Sequence, residues 1–171
     1  MVTIFKNIKN TSAPYHRGIG VVLDRIRDGS SRELVESIRL QPDKEKRSLL
    51  KQQLPSICFS GKFSHRSDKA LEQHSGYICL DFDGYKDLDT LLMYKDSFSG
   101  NEYVYSVFIS PSGRGLKVIV KIPPIKDNHV KYFNALKDHF DSEYFDITSK
   151  NISRVCPNIK CITTSDCPPR S

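Results

Sequence analysis

One seven-residue segment constrains this chain more than any other: Tyr77-Ile-Cys-Leu-Asp-Phe-Asp83. Successive side chains on a strand point to opposite faces, so Ile78, Leu80 and Phe82 form one apolar face. That face has to be covered by a hydrophobic layer. Cys79, Asp81 and Asp83 share the other face, which brings two carboxylates into one small volume at its far end. A fold built on this strand needs one packed side and one side that can tolerate paired negative charge.

The neighbouring segments supply partners for such a strand. Tyr103–Ser110 and Leu116–Ile122 read as strands joined by Pro111-Ser-Gly-Arg-Gly115. In the second, Leu116, Val118, Val120 and Ile122 share one face, while Lys117 and Lys121 share the other. The lysines are therefore expected on the open side with Asp81 and Asp83. Asp87–Lys95 reads as a helix and Phe98–Asn101 as a turn. Asn128–Tyr144 reads as an amphipathic helix, with Val130, Phe133, Leu136 and Phe140 at helical spacing. Asn151–Val155 is read as a last strand.

Upstream, a short strand is expected at Thr3–Lys6, with mostly helical chain after it to residue 55. Ser30 and Ser31 ahead of Glu33 offer caps for a helix through Leu40, and Asp43 can start another to about Gln53, stopped by Pro55. Ser56–Ser60 reads as a strand and Ser67–Gln73 as a brief helix closed by a turn at Ser75-Gly76. The expected fold class is α+β, an antiparallel sheet packed by helices. The expected organisation is one domain over residues 1–156, of which 1–55 form a helical N-terminal element, with an irregular tail over 157–171.

Composition removes several classes. At 171 residues and 38% hydrophobic content the chain can bury a core without disulfide staples. No apolar run approaches the ~18 residues that span a bilayer, and the N-terminus lacks a secretory signal. A cytoplasmic protein without a membrane partner is expected. The net charge of +6 is uneven. Residues 1–70 carry 14 Lys/Arg against 7 Asp/Glu, whereas the remainder is slightly acidic. A basic half suits a polyanion such as a nucleic acid backbone, or forms an ordinary solvated basic surface.

Three segments carry the candidate chemistry. Asp81-Phe-Asp83 offers hard oxygen ligands for Mg²⁺ or Mn²⁺, or simply a solvated strand end before Gly84. Ser110-Pro-Ser112-Gly113-Arg114-Gly-Leu-Lys117 offers hydroxyls, glycine-permitted backbone N–H groups and two cations suited to phosphate, or an ordinary hairpin loop. Phe145-Asp146-Ile-Thr-Ser-Lys150-Asn-Ile-Ser-Arg154 offers a third carboxylate and further phosphate contacts, or an Asp-initiated turn. Among the cysteines, Cys58 and Cys79 read as buried thiols. Cys156, Cys161 and Cys167 match no common zinc spacing. The five histidines show no ligand spacing. His129 and His139 are expected on a helix surface, and His74 in a turn.

In their order, these segments resemble the motifs of the archaeo-eukaryotic primase, or primase-polymerase, superfamily. More closely, the chain resembles its VirE N-terminal-domain family over about residues 45–156. The matching stretches are Leu54–Gly61, His74–Asp83, Phe108–Val118 and Ser149–Cys156. The resemblance implies an RRM-like antiparallel sheet with an N-terminal αβ element, and template-directed nucleotidyl transfer in replication of a mobile or phage-like element. It implies Asp81, Asp83 and Asp146 as catalytic metal ligands for two Mg²⁺ or Mn²⁺. Ser110, Ser112, Gly113, Arg114, Lys117, Lys150 and Arg154 would contact a nucleoside triphosphate. A DNA or RNA template and a replicative helicase region are the implied partners. The chain departs from the superfamily in having Lys117 where a histidine is usual, which bears on catalysis more than on nucleotide binding. Two other classes stay open: a non-catalytic nucleic-acid-binding module with the same fold, and a metal-dependent nucleotide-sugar transferase.

Overall fold

The computed structural model of the chain describes residues 1–157 and is α+β with antiparallel sheets. Four strands, β1 (Val2–Phe5), β2 (Tyr15–Arg17), β3 (Ser56–Cys58) and β9 (Cys156–Pro157), form one sheet in the order β2-β1-β3-β9. The hairpin β4 (Gly61–Phe63) and β5 (Leu71–His74) forms a second. The third holds the candidate site: β6 (Tyr77–Asp83), β7 (Val104–Ile109) and β8 (Gly115–Lys121), with β8 in the centre. Five helices complete the described chain: α1 (Ile19–Arg27), α2 (Arg32–Leu40), α3 (Lys44–Lys51), α4 (Leu88–Gly100) and α5 (His129–Phe140). Among the described residues, no helix is long and apolar enough to cross a membrane.

The alternation in β6 decides how the third sheet packs. Ile78, Leu80 and Phe82 join Leu116, Val118 and Val120 of β8, and Val107 and Ile109 of β7, in one buried cluster. Leu91 and Phe98 of α4 and Phe133 of α5 cover it. Phe82 lies at its centre, 4.5 Å from the ring of Phe98 and edge-on to Phe145 at 5.1 Å. The opposite face is split. At one end Cys79, Phe108 and Ile119 pack on Val2, Ile4, Ile57 and Phe59 of the first sheet and its loops; at the other lie Asp81, Asp83 and Lys117. This face is therefore not the open one that alternation alone suggests: Lys117 is on the expected side of β8 but only 7% exposed.

Several boundaries differ from expectation. The segment read as a helix at Ser67–Gln73 is a single 3-10 turn, Asp68–Ala70, followed by β5, because Leu71–His74 finds a ladder partner in β4. Helix α4 runs on to Gly100 through the expected turn at Phe98, whose side chain is buried and needs the helical spacing to reach Phe82. Residues 151–155 are loop rather than strand, and pairing begins only at Cys156, opposite Ile57. The N-terminal region is helical as read after the expected first strand, which is Val2–Phe5, yet it also contributes β2. Asp43 and Asp87 cap α3 and α4, accepting from the N–H groups of Lys46 and Thr90. The expected tail, apart from Pro157, lies outside the described residues, as do Cys161 and Cys167.

Candidate functional site

Asp81 is fixed by its place in the ladder. It stands opposite Lys117 across β6 and β8, and the ammonium meets its Oδ1 at 2.5 Å. Both side chains are nearly inaccessible. Burial alone lowers the pKa of such an ammonium, but the adjacent Asp81 carboxylate outweighs it, so the Lys117 pKa is raised. Lys117 is thus a permanent cation inside the site.

Asp83 lies one turn of the pleat further on, opposite Gly115. A Cβ at position 115 would fall 2.1 Å from Asp83 Oδ1 and 2.7 Å from the Phe82 carbonyl oxygen. Gly115 is therefore the space into which the Asp83 carboxylate fits. Partial desolvation raises the Asp83 pKa, and the charges of Asp81 and Asp146 add to this against the pull of Lys117.

Asp146 arrives from the other edge of β6. The Phe82–Phe145 bridge, the Asp83 N–H donating to the Tyr144 carbonyl at 2.8 Å and the Asp146 N–H donating to the Asp81 carbonyl at 2.8 Å seat the segment beside the strand. Its carboxylate also caps the turn at Ile147–Lys150, accepting from the Thr148 N–H and hydroxyl. Desolvation raises its pKa, but those bonds and the Arg154 and Lys117 charges prevail, so the net shift is downward. The turn former and the third carboxylate are thus the same residue.

Arg154 lies between the acids. Its Nη2 is 3.6 Å from Asp81 Oδ2 and 3.6 Å from Asp146 Oδ2. The loop that carries it is held by Ser153, whose N–H and hydroxyl donate to Asp68 Oδ1. A cavity of about 450 Å³ opens over this arrangement, lined by Asp81, Asp83, Lys117, Arg154, Arg66 and Asn151 among others.

The hairpin loop 110–115 does not present the full N–H nest foreseen. The Ser110 N–H donates to the Gly115 carbonyl and the Gly113 N–H to the Ser110 carbonyl, closing the turn with Gly113 at φ +73°. The hydroxyls of Ser110 and Ser112 bond each other at 3.1 Å. Arg114 is exposed at the tip, and Lys150 is exposed away from the cavity lining. Two other cations were not foreseen. Arg39 of α2 donates from Nε to the Pro111 carbonyl at 3.4 Å and keeps a buried Nη2 without a hydrogen-bond partner. Lys51 of α3 is half-buried, and desolvation lowers its pKa although Asp83 acts against it. Neither belongs to a local motif, and nothing in their own segments distinguishes them from surface cations.

The thiols are inert structural groups. Cys156 lies 3.1 Å from Cys79 Sγ, and this bond together with burial pushes the Cys79 pKa well up; burial pushes Cys58 up to about 12. Cys79, Asp81 and Cys156 place potential ligand atoms within 4.8 Å of one another, but a metal needs thiolates and the buried Cys79 thiol holds its proton strongly. His129, expected at the surface, is 2% exposed, its ring packed against that of His74 with centroids 5.5 Å apart. Its Nδ1 lies 3.2 Å from Nε2 of His74, which is itself buried at the end of β5 rather than in a turn.

In kind the donors suit a hard divalent ion, being three carboxylates from two separated segments, but among the described residues these three do not bring their oxygens within 4.8 Å of one another. The space between Asp81 and Asp146 holds the Arg154 guanidinium.

No curated protein and no solved structure matches the chain. A family model matches residues 49–160, which takes in β3 to β9 and leaves out α1 and α2. That family is a different one from the VirE N-terminal-domain family suggested by the motifs; short Asp-x-Asp and Ser/Gly segments were too unspecific to tell the two apart. Matched over more than half its length, the chain belongs to the BT4734-like, N-terminal domain family.

Proposed function

We propose that this domain carries out metal-dependent nucleotidyl transfer on a nucleic acid template. The observation that carries the reading is that Asp81, Asp83, Lys117 and Arg154 line one cavity, acids and cations together, with Asp146 joined to them through Arg154. Such a mixture suits a triphosphate and its counter-ions better than either alone. Asp81, Asp83 and Asp146 would hold the divalent ion. Bound there, Mg²⁺ or Mn²⁺ supplies the charge that activates a 3′-hydroxyl and stabilises departing pyrophosphate.

The chain's own residues do the positioning. Lys117, fixed by Asp81, offers a cation at the cavity wall. Arg114 at the hairpin tip, with Arg39 and Lys51 behind it, would draw the phosphates towards the open end of the site. The excess positive charge of residues 1–70 supports binding of a template backbone. An RRM-like character for the β6-β8-β7 sheet belongs to the same reading.

A second reading, a nucleic-acid-binding module without chemistry, is favoured by one observation: Lys117 and Arg154 already neutralise Asp81. One experiment separates the two. Purified protein is given a primed template, nucleoside triphosphates and Mg²⁺ or Mn²⁺. Strand extension that is abolished by Asp81→Asn supports transfer. Salt-sensitive nucleic acid binding that ignores both chelator and Asp81→Asn, with no nucleotide binding under either metal, overturns it.

A further inference from the structure

Two cations share the Asp81 carboxylate, and they are held very differently. Lys117 is buried at 2.5 Å from Oδ1. Arg154 stands off at 3.6 Å from both Asp81 Oδ2 and Asp146 Oδ2, forms a hydrogen bond to neither, and its side chain is 43% exposed. A guanidinium that pairs well with carboxylates does so through short, forked N–H bonds. Here it contributes charge without that geometry, and solvent is open to it. Removing Lys117 would strand a buried charge; removing Arg154 would not.

We propose that Arg154 is an exchangeable counter-charge. It occupies the space between Asp81 and Asp146 until a divalent cation displaces it, so the site resists the bare ion. Lys117 stays in place and sets the remaining charge. The displaced guanidinium needs only to swing outward, because its loop is pinned one residue earlier by Ser153 on Asp68. This inference rests on the divalent-ion site proposed above.

The test is Mn²⁺ binding alone, read from loss of the free-ion paramagnetic resonance signal, with no substrate present. Wild type is compared with Arg154→Gln and Lys150→Gln. Lys150 is an exposed cation four residues away that does not line the cavity. Removing it lowers the nearby positive charge without vacating the seat. Two screened charge pairs near 4 Å correspond to about a tenfold change in affinity. Arg154→Gln should therefore bind Mn²⁺ about tenfold more tightly, while Lys150→Gln changes it less than about twofold. Equal effects from the two variants, or unchanged or weaker binding in Arg154→Gln, would overturn the exchange while leaving the ion site standing. If neither wild type nor Arg154→Gln binds Mn²⁺ at millimolar concentration, the divalent-ion site itself is wrong and the exchange falls with it. Thermal melts of the variants confirm that each is folded.

Discussion

Acid should weaken this protein through one buried imidazole pair. The Gly76 N–H donates to His74 Nδ1 at 3.0 Å, so His74 carries its proton on Nε2 and donates to His129 Nδ1 at 3.2 Å. Protonating His129 would set two N–H groups against each other in a site 2% exposed. Burial, and then the His74 charge, lower the His129 pKa from 6.5 to about 4, with Asp68 pulling weakly the other way. The unfolded chain takes up that proton near pH 6.5. Between pH 6.5 and 4 the unfolded state therefore binds more protons, and stability falls as pH falls. The contribution is fully present above 6.5 and is exhausted near 4. At about 1.4 kcal/mol per pH unit, the loss amounts to about 3 kcal/mol. Urea unfolding across pH 7.5 to 4 measures it, with His129→Phe as the reference that removes the His129 titration and keeps that of His74, whose pKa burial also lowers. The variant should be about 1 kcal/mol less stable at pH 7.5, since His74 Nε2–H loses its acceptor, but its profile should be flatter. The difference between wild type and variant should shrink steadily with acid and change sign. Parallel profiles would refute the assignment of the proton to this pair.

Two further substitutions probe the site itself. Lys117→Met leaves Asp81 buried beside the half-exposed Arg154 alone and should lower stability by about 3 kcal/mol. Lys117→Met with Asp81→Leu should recover to within about 1 kcal/mol of wild type. A single-variant loss below about 1 kcal/mol in urea unfolding would show that the pair is not truly desolvated. Gly115→Ala places a methyl group against Asp83 Oδ1 and the Phe82 carbonyl, and should lower stability by about 1 to 3 kcal/mol and weaken Mn²⁺ binding. Unchanged stability and Mn²⁺ affinity would mean that Asp83 has another place to go.

Much of the framework is a local property of the chain. The two-residue alternation in Tyr77–Asp83 and Leu116–Ile122 settles which side chains face the aromatic core. It also settles that Lys117 stands on the side of the two acids, because side-chain direction on a strand depends only on parity. The caps at Asp43 and Asp87 are likewise local, since each carboxylate bonds a backbone N–H three residues on. What lay beyond the sequence depended on contacts between distant segments. Whether Ser67–Gln73 coils or pairs is decided by β4, and whether Lys117 is open to water is decided by the packing of Cys79 and Ile119 on the first sheet. Arg39, Lys51 and the buried His129 carry no local signature, because their roles come only from what the fold sets beside them. The meeting of Asp146 with Asp81 is the clearest case. Sixty-five residues of chain separate them, and a short bridge from Phe145 to Phe82, with one hydrogen bond between their own backbones, closes that distance. Residue types could nominate the acids; only the tertiary pairing brings them to one cation.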